Sequence, residues 1–181
     1  MQGYDVVLFF HLVAVLAAFF LSGALHTSEY LMQGATTMAE VRRLIRPAKL
    51  APLFAPIVIA LFALGMALLG MSHQAYDAGD PFVWTGMVVL VLLLLDGPLV
   101  MARYGKRLES LVEATPDGSV PDAVRAQATS TVPWAVGHAN TFAALAVVLN
   151  MTAKPSTTYC VLIVVVGTAI GAALGSTLSK R

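Results

Sequence analysis

Apolar positions in this chain come in long unbroken blocks separated by short charged loops. Five blocks stand out: Val6–Leu25, Leu50–Met71, Phe82–Ala102, Val132–Ala153 and Thr158–Leu178. Each is close to the roughly 20 residues that carry a helix across a hydrocarbon core. In lipid the backbone must satisfy its own hydrogen bonds, so these blocks predict helices, not loose strands. The pattern predicts an all-α, polytopic membrane bundle, a single membrane domain with spans at 5–30, 50–72, 82–103, 132–153 and 157–178.

The polar stretches between the blocks predict smaller elements. Thr37–Arg46 reads as a short amphipathic helix, and Thr37 with Glu40 has the spacing of a capping box. Pro47, Pro52 and Pro56 mark the entry to the second span, as a kink or as its first turns. The third span continues as a charged helix over Ala102–Glu113, and Asp122–Thr131 restarts as a polar helix. Asp96 precedes Gly97-Pro98, where the pattern predicts a broken helix. Trp84 and Trp134 fall at opposite ends of their spans, as aromatic belts would place them. The loop at 104–131 is too short for a separate soluble domain, so any chemistry belongs in or beside the bundle.

Lysine and arginine placement sets the orientation. Arg42, Arg43, Arg46 and Lys49 follow the first span, and Arg103, Lys106, Arg107 and Arg125 follow the third. The tail ends in Lys180-Arg181. The other side carries Asp5, Asp77 and Asp80, with Lys154 as its positive charge. This places the N-terminus outside and the C-terminus in the cytoplasm, with cytoplasmic loops at 31–49 and 104–131. The front Met1–Asp5 has no positive charge, so the first block reads as a span and not as a cleaved signal.

Composition sharpens this picture. Of 181 residues 58% are hydrophobic and only 12% charged, against roughly 25% charged in a soluble domain. A net charge of +1 offers no basic field for nucleic acid. Cys160 is the single cysteine, which rules out an internal disulfide and a cysteine-based zinc cage.

Polar groups inside the spans are the candidate functional residues, because each costs free energy in hydrocarbon. They are His11, His26, Asp96, His138, Asn140 and Asn150. Helix directions put His26, Glu29, Asp96 and His138 at one depth near the cytoplasmic end, and His11 with Asn150 in the outer half. His26 and Glu29 are three residues apart on one helix face. With Asp96 and His138 they could hold a metal ion or pass a proton. Two histidines on different helices could instead ligate a b-type haem. The competing readings are structural: His26 reaching the headgroups, and Asp96 accepting from freed backbone N–H groups or pairing with Arg103. His73 lies in the outer loop with no role assigned. Gly167, Gly171 and Gly175 form a four-residue repeat, a close-packing face for a second subunit or for another helix of the same chain.

Phe10-His11-Leu12-Val13-Ala14-Val15 and Ser22-Gly23, Ala51-Pro52, Ala63-Leu64-Gly65 and Ala153-Lys154-Pro155 together resemble a group of bacterial four-helix membrane bundles. That group includes the HemJ-type protoporphyrinogen oxidases, copper-resistance-D-like proteins and uncharacterised relatives. The resemblance covers about residues 5–155, with the fifth helix as an addition. It implies a four-helix core and a b-type haem on His11. Ser28-Glu29-Tyr30, Gly86 and Gly137-His138-Ala139-Asn140-Thr141 stand where the HemJ group has its Pro-Arg, its lysine and its Arg/Asn-Glu-x-Pro. Those cations would hold porphyrin propionates, so the chain looks most similar to the uncharacterised relatives. The expected role is a non-enzymatic or accessory membrane protein, surrounded by lipid, that self-associates or joins a membrane complex. A haem- or metal-binding redox protein using His11, or His26 with His138, and a small transporter using Asp96 are the rivals.

Overall fold

The computed structural model describes residues 3–72 and 75–180, without the Pro98 side chain; His73 lies outside that set. Among the described residues the chain is helical, without a strand. Five helices are long and apolar enough to cross a membrane. The elements are α1 (Gly3–Gln33), α2 (Met38–Leu44), α3 (Phe54–Met71), α4 (Pro81–Asp96), α5 (Ala102–Ala114), α6 (Asp122–Ala128), α7 (Thr131–Ala153) and α8 (Thr157–Leu178).

α1 has 31 residues, a length of about 46 Å at the helical rise. That exceeds the roughly 30 Å of a hydrocarbon core. Its surplus turns enter a cap built from both large polar loops. Met32, Ala35, Met38, Val41, Leu108, Val112, Val124 and Ala128 are buried together there, from α1, α2, α5, α6 and the link between α1 and α2. Each loop is too short for a core of its own, but the two share one.

The cap is pinned by polar contacts as well. Thr37 accepts from the Glu40 backbone N–H, and the Glu40 side chain accepts from the Thr37 N–H, which completes the predicted capping box. Thr37 also bridges to Ser119 across the two loops. Arg125 donates to the carbonyls of Gln33 (3.0 Å) and Ala35 (3.2 Å). It thereby satisfies oxygens that the end of α1 leaves without a helical partner. Arg42 pairs with Asp117.

The entry to α3 is a 3-10 segment, Arg46–Leu53, with Pro47 at its start, Pro52 inside it and Pro56 in the first turn of α3. Between α4 and α5 the predicted break does not occur. Gly97–Met101 forms a π turn, and the helix continues into α5. One widened turn absorbs the missing N–H of Pro98 without ending the helix.

The tightest helix pair is α7 with α8. A Cβ built on Gly171 would lie 2.5 Å from the His138 carbonyl oxygen, and one on Gly175 2.2 Å from that of Trp134. On Gly167 it would meet Phe142 O and Ala146 Cβ at 3.3 Å. Only absent side chains permit this approach. The glycine face therefore seats α7 of the same chain, one of the two arrangements that its spacing left open.

Candidate functional site: a histidine joint between α1 and α7

The close seating of α8 holds the start of α7 in place, and α1 crosses α7 near the cap. At that crossing the polar residues of the two helices meet. His26 and His138 lie ring against ring, with centroids 4.1 Å apart and planes tilted by 31°. Gly137 makes room, since a Cβ there would come within 3.2 Å of His26 Cε1.

Hydrogen bonds extend the contact on both sides. Thr141 donates to Gly137 O at 3.1 Å. Its lone pairs then receive Ser22 at 2.7 Å and His26 Nε2 at 2.9 Å. With the threonine proton committed, the network assigns Nε2 of His26 as a donor. His26 Nδ1 faces Glu29 Oε2 at 3.3 Å. This contact is a bond only if one proton lies between them, as an imidazolium beside a carboxylate or as a neutral ring beside a carboxylic acid. The two side chains are 21% and 14% exposed. On the other ring, His138 Nδ1 donates to Trp134 O at 2.9 Å, which leaves Nε2 as the lone pair in the neutral form.

Trp134 closes the site from below. Its ring stacks on His138 at 5.8 Å and 11°. It is 1% exposed, and its Nε1 donates to Ala128 O at 2.8 Å. The belt role expected for Trp134 is therefore corrected: its N–H finds a partner in the cap, not at a lipid surface. Two imidazolium charges 4 Å apart would repel by about 4 kcal/mol at an effective dielectric of 20. The stacked pair tolerates one charge far better than two.

The other candidates lie apart. Among the described residues no group of three or more His, Cys, Asp or Glu side chains could hold a metal ion. Asp96 is half-buried at the π turn, and the two ion pairs found among the described residues do not include it or Arg103. The expected four-ligand set of His26, Glu29, Asp96 and His138 thus reduces to a His–Glu pair and a stacked second histidine. Face contact between the rings leaves no space for a porphyrin between them. His11 lies 15 residues before His26, about 22 Å along α1, so these two cannot share one haem iron. His11 is 9% exposed, its Nδ1 is buried without a hydrogen-bond partner among the described residues, and its Cε1 packs against Gly65 of α3. Asn150 donates to Cys160 O at 3.0 Å, while its Oδ1 is buried without a partner. Cys160 is a buried thiol directed at Pro155 O, as expected for an inert packed side chain.

Sequence reasoning missed Ser22, Trp134 and Thr141 as members of the site. The signal was present in the spacing. Ser22 and His26 are four residues apart, as are Trp134 and His138, and Thr141 follows His138 by three. No protein-family model matches the chain, and no curated protein or solved structure matches it either.

Proposed function

We propose that the protein is a multi-pass protein of a bacterial cytoplasmic membrane, with its cap in the cytoplasm and its N-terminus outside. It works as a non-enzymatic, accessory bundle that associates with its own copies or with subunits of a membrane complex. Its working part is the joint between α1 and α7, which holds a proton and fixes the angle of the two helices. The observation that carries this reading is the His26–His138 contact, whose polar neighbours are spent on one another and not turned toward an open cavity. The glycine face is occupied by α7 of the same chain, so association would use another face of the bundle.

Trp134 supplies the test, because an imidazolium stacked on an indole quenches its emission. A Trp84→Phe protein leaves Trp134 as the single reporter. Its emission should fall on acidification, as His138 takes up a proton. The change should vanish in His138→Gln. An unchanged titration in that variant would remove the joint. In mild detergent the protein should run larger than a monomer; a strictly monomeric extract from native membranes would remove the accessory role.

A second reading rests on His11. A buried imidazole nitrogen without a partner is costly, and a b-type haem would take it as an axial ligand, in line with the resemblance to the HemJ group. Purified protein would then show a Soret band that His11→Ala bleaches. Colourless protein from haem-replete cells would eliminate it.

A further inference from the structure

The two cap loops sort their charges by depth. On α5, Arg103, Lys106 and Arg107 come first, followed by Glu109 and Glu113. At the helical rise Glu109 is about 9 Å and Glu113 about 15 Å beyond Arg103. The first loop has the same order relative to the bundle. Glu40 is absorbed by its capping box and Arg42 by Asp117, while Arg43, Arg46 and Lys49 are exposed on the approach to α3. Ile45 and Tyr104 pack on the same buried cluster, so Arg46 and Arg103, their chain neighbours, both flank the cap. Among the described residues the two ion pairs are His26–Glu29 and Arg42–Asp117, so this inner ring of cations lacks carboxylate partners within the chain.

A second feature points to what covers it. In a 3-10 helix residues three apart line up, so in Arg46–Leu53 the cations Arg46 and Lys49 share one edge and the exposed Leu50 and Leu53 share the next. Such a segment fits an interface, with leucines in acyl chains and cations among headgroups.

We propose that Arg43, Arg46, Lys49, Arg103, Lys106 and Arg107 form a binding surface for anionic phospholipid headgroups. The inference rests on the membrane insertion proposed above and not on the histidine joint. The charge pattern supports it beyond orientation, because acidic residues weigh little in setting topology. Here they are nevertheless displaced away from the bundle.

The test is native mass spectrometry of the full chain in a neutral detergent, titrated with phosphatidylglycerol or phosphatidylcholine. Wild-type protein should retain phosphatidylglycerol preferentially, and each cation removed should weaken that by about fivefold. Arg43→Gln/Arg46→Gln/Lys49→Gln should therefore abolish the preference, whereas Lys154→Gln on the far loop should keep it. Salt at about 0.5 M should suppress it in the wild-type protein, a readout that needs no variant. Millimolar inorganic phosphate should not displace the lipid. Equal retention of both lipids, a preference unchanged in the triple variant, salt insensitivity, or displacement by phosphate would each overturn the proposal. The Trp134 titration is independent of all four.

Discussion

The cap and the bundle above it are built from the same chain by opposite means. In the cap, eight buried apolar side chains from four helices and the link between α1 and α2 form a shared core, and polar groups finish its edges. In the bundle, large apolar side chains such as Phe9, Leu16, Phe20, Ile59 and Val165 point outward. There the chain is held by backbone approach at the glycines of α8 and by a few polar bonds between α1 and α7. Water explains the first arrangement, since burial of apolar area drives it. On the proposed membrane insertion, lipid accounts for the second, because hydrocarbon gives apolar side chains no reason to hide and leaves close packing and hydrogen bonds to join helices. The histidine joint lies where the two regimes meet, with Trp134 donating into the cap and stacking on His138.

This contrast predicts where substitutions hurt most. The largest effect should come from Gly171→Leu, which puts a side chain where 2.5 Å separates an added Cβ from the His138 carbonyl oxygen. The cost should exceed the 1–3 kcal/mol or so of ordinary overpacking. It should appear as loss of the folded, extractable bundle and not as a change of assembly state alone. Met38→Ala should come next. Met38 is fully buried in the cap, and the change should cost about 2–5 kcal/mol. Hydrogen exchange should then rise in α2, α5 and α6 while the α7–α8 pair stays protected. If both regions loosened equally, the division into two regimes would be wrong.

Much of this architecture is readable from the chain, because its signals are local. Block length marks the spans, and Thr37 with Glu40 marks the start of α2. The cap is not readable in that way. Its core joins Met32 and Met38 to Leu108 and Val124, contacts far apart in sequence that no window detects. Trp134 at the end of an apolar block has the appearance of a belt residue, and only the position of Ala128 shows where its N–H goes. Gly97-Pro98 reads as a stop, but a π turn accommodates it. At the site, depth gives His26, Asp96 and His138 a similar height; the two histidines meet ring against ring, while Asp96 belongs to neither of the two ion pairs found among the described residues. Depth fixes height along the bundle and says nothing about which way a side chain faces around a helix.

Smaller effects sharpen the same comparison. His138→Gln should change stability by only about 1 kcal/mol, near the net worth of one hydrogen bond, while abolishing the pH response of Trp134. Weakest of all should be the pH dependence of the capping box. The backbone N–H of Thr36, then that of Thr37, holds the Glu40 carboxyl below its usual range. A carboxyl depressed in the folded state stabilises above its unfolded pKa, and the contribution is lost as pH falls through the folded value. Protection factors at the start of α2, corrected for the intrinsic exchange rate, should therefore fall in acid, and Glu40→Gln should flatten that dependence.

Cysteine labelling tests the central claim most directly. Cys160 is buried, so a new thiol at exposed Ala78 or exposed Ser110 can be read against a low background. In intact spheroplasts a membrane-impermeant maleimide should label Ala78→Cys at once and Ser110→Cys only after lysis. Labelling of both before lysis, or of Ser110→Cys alone, would contradict a bundle that spans the membrane with its cap in the cytoplasm.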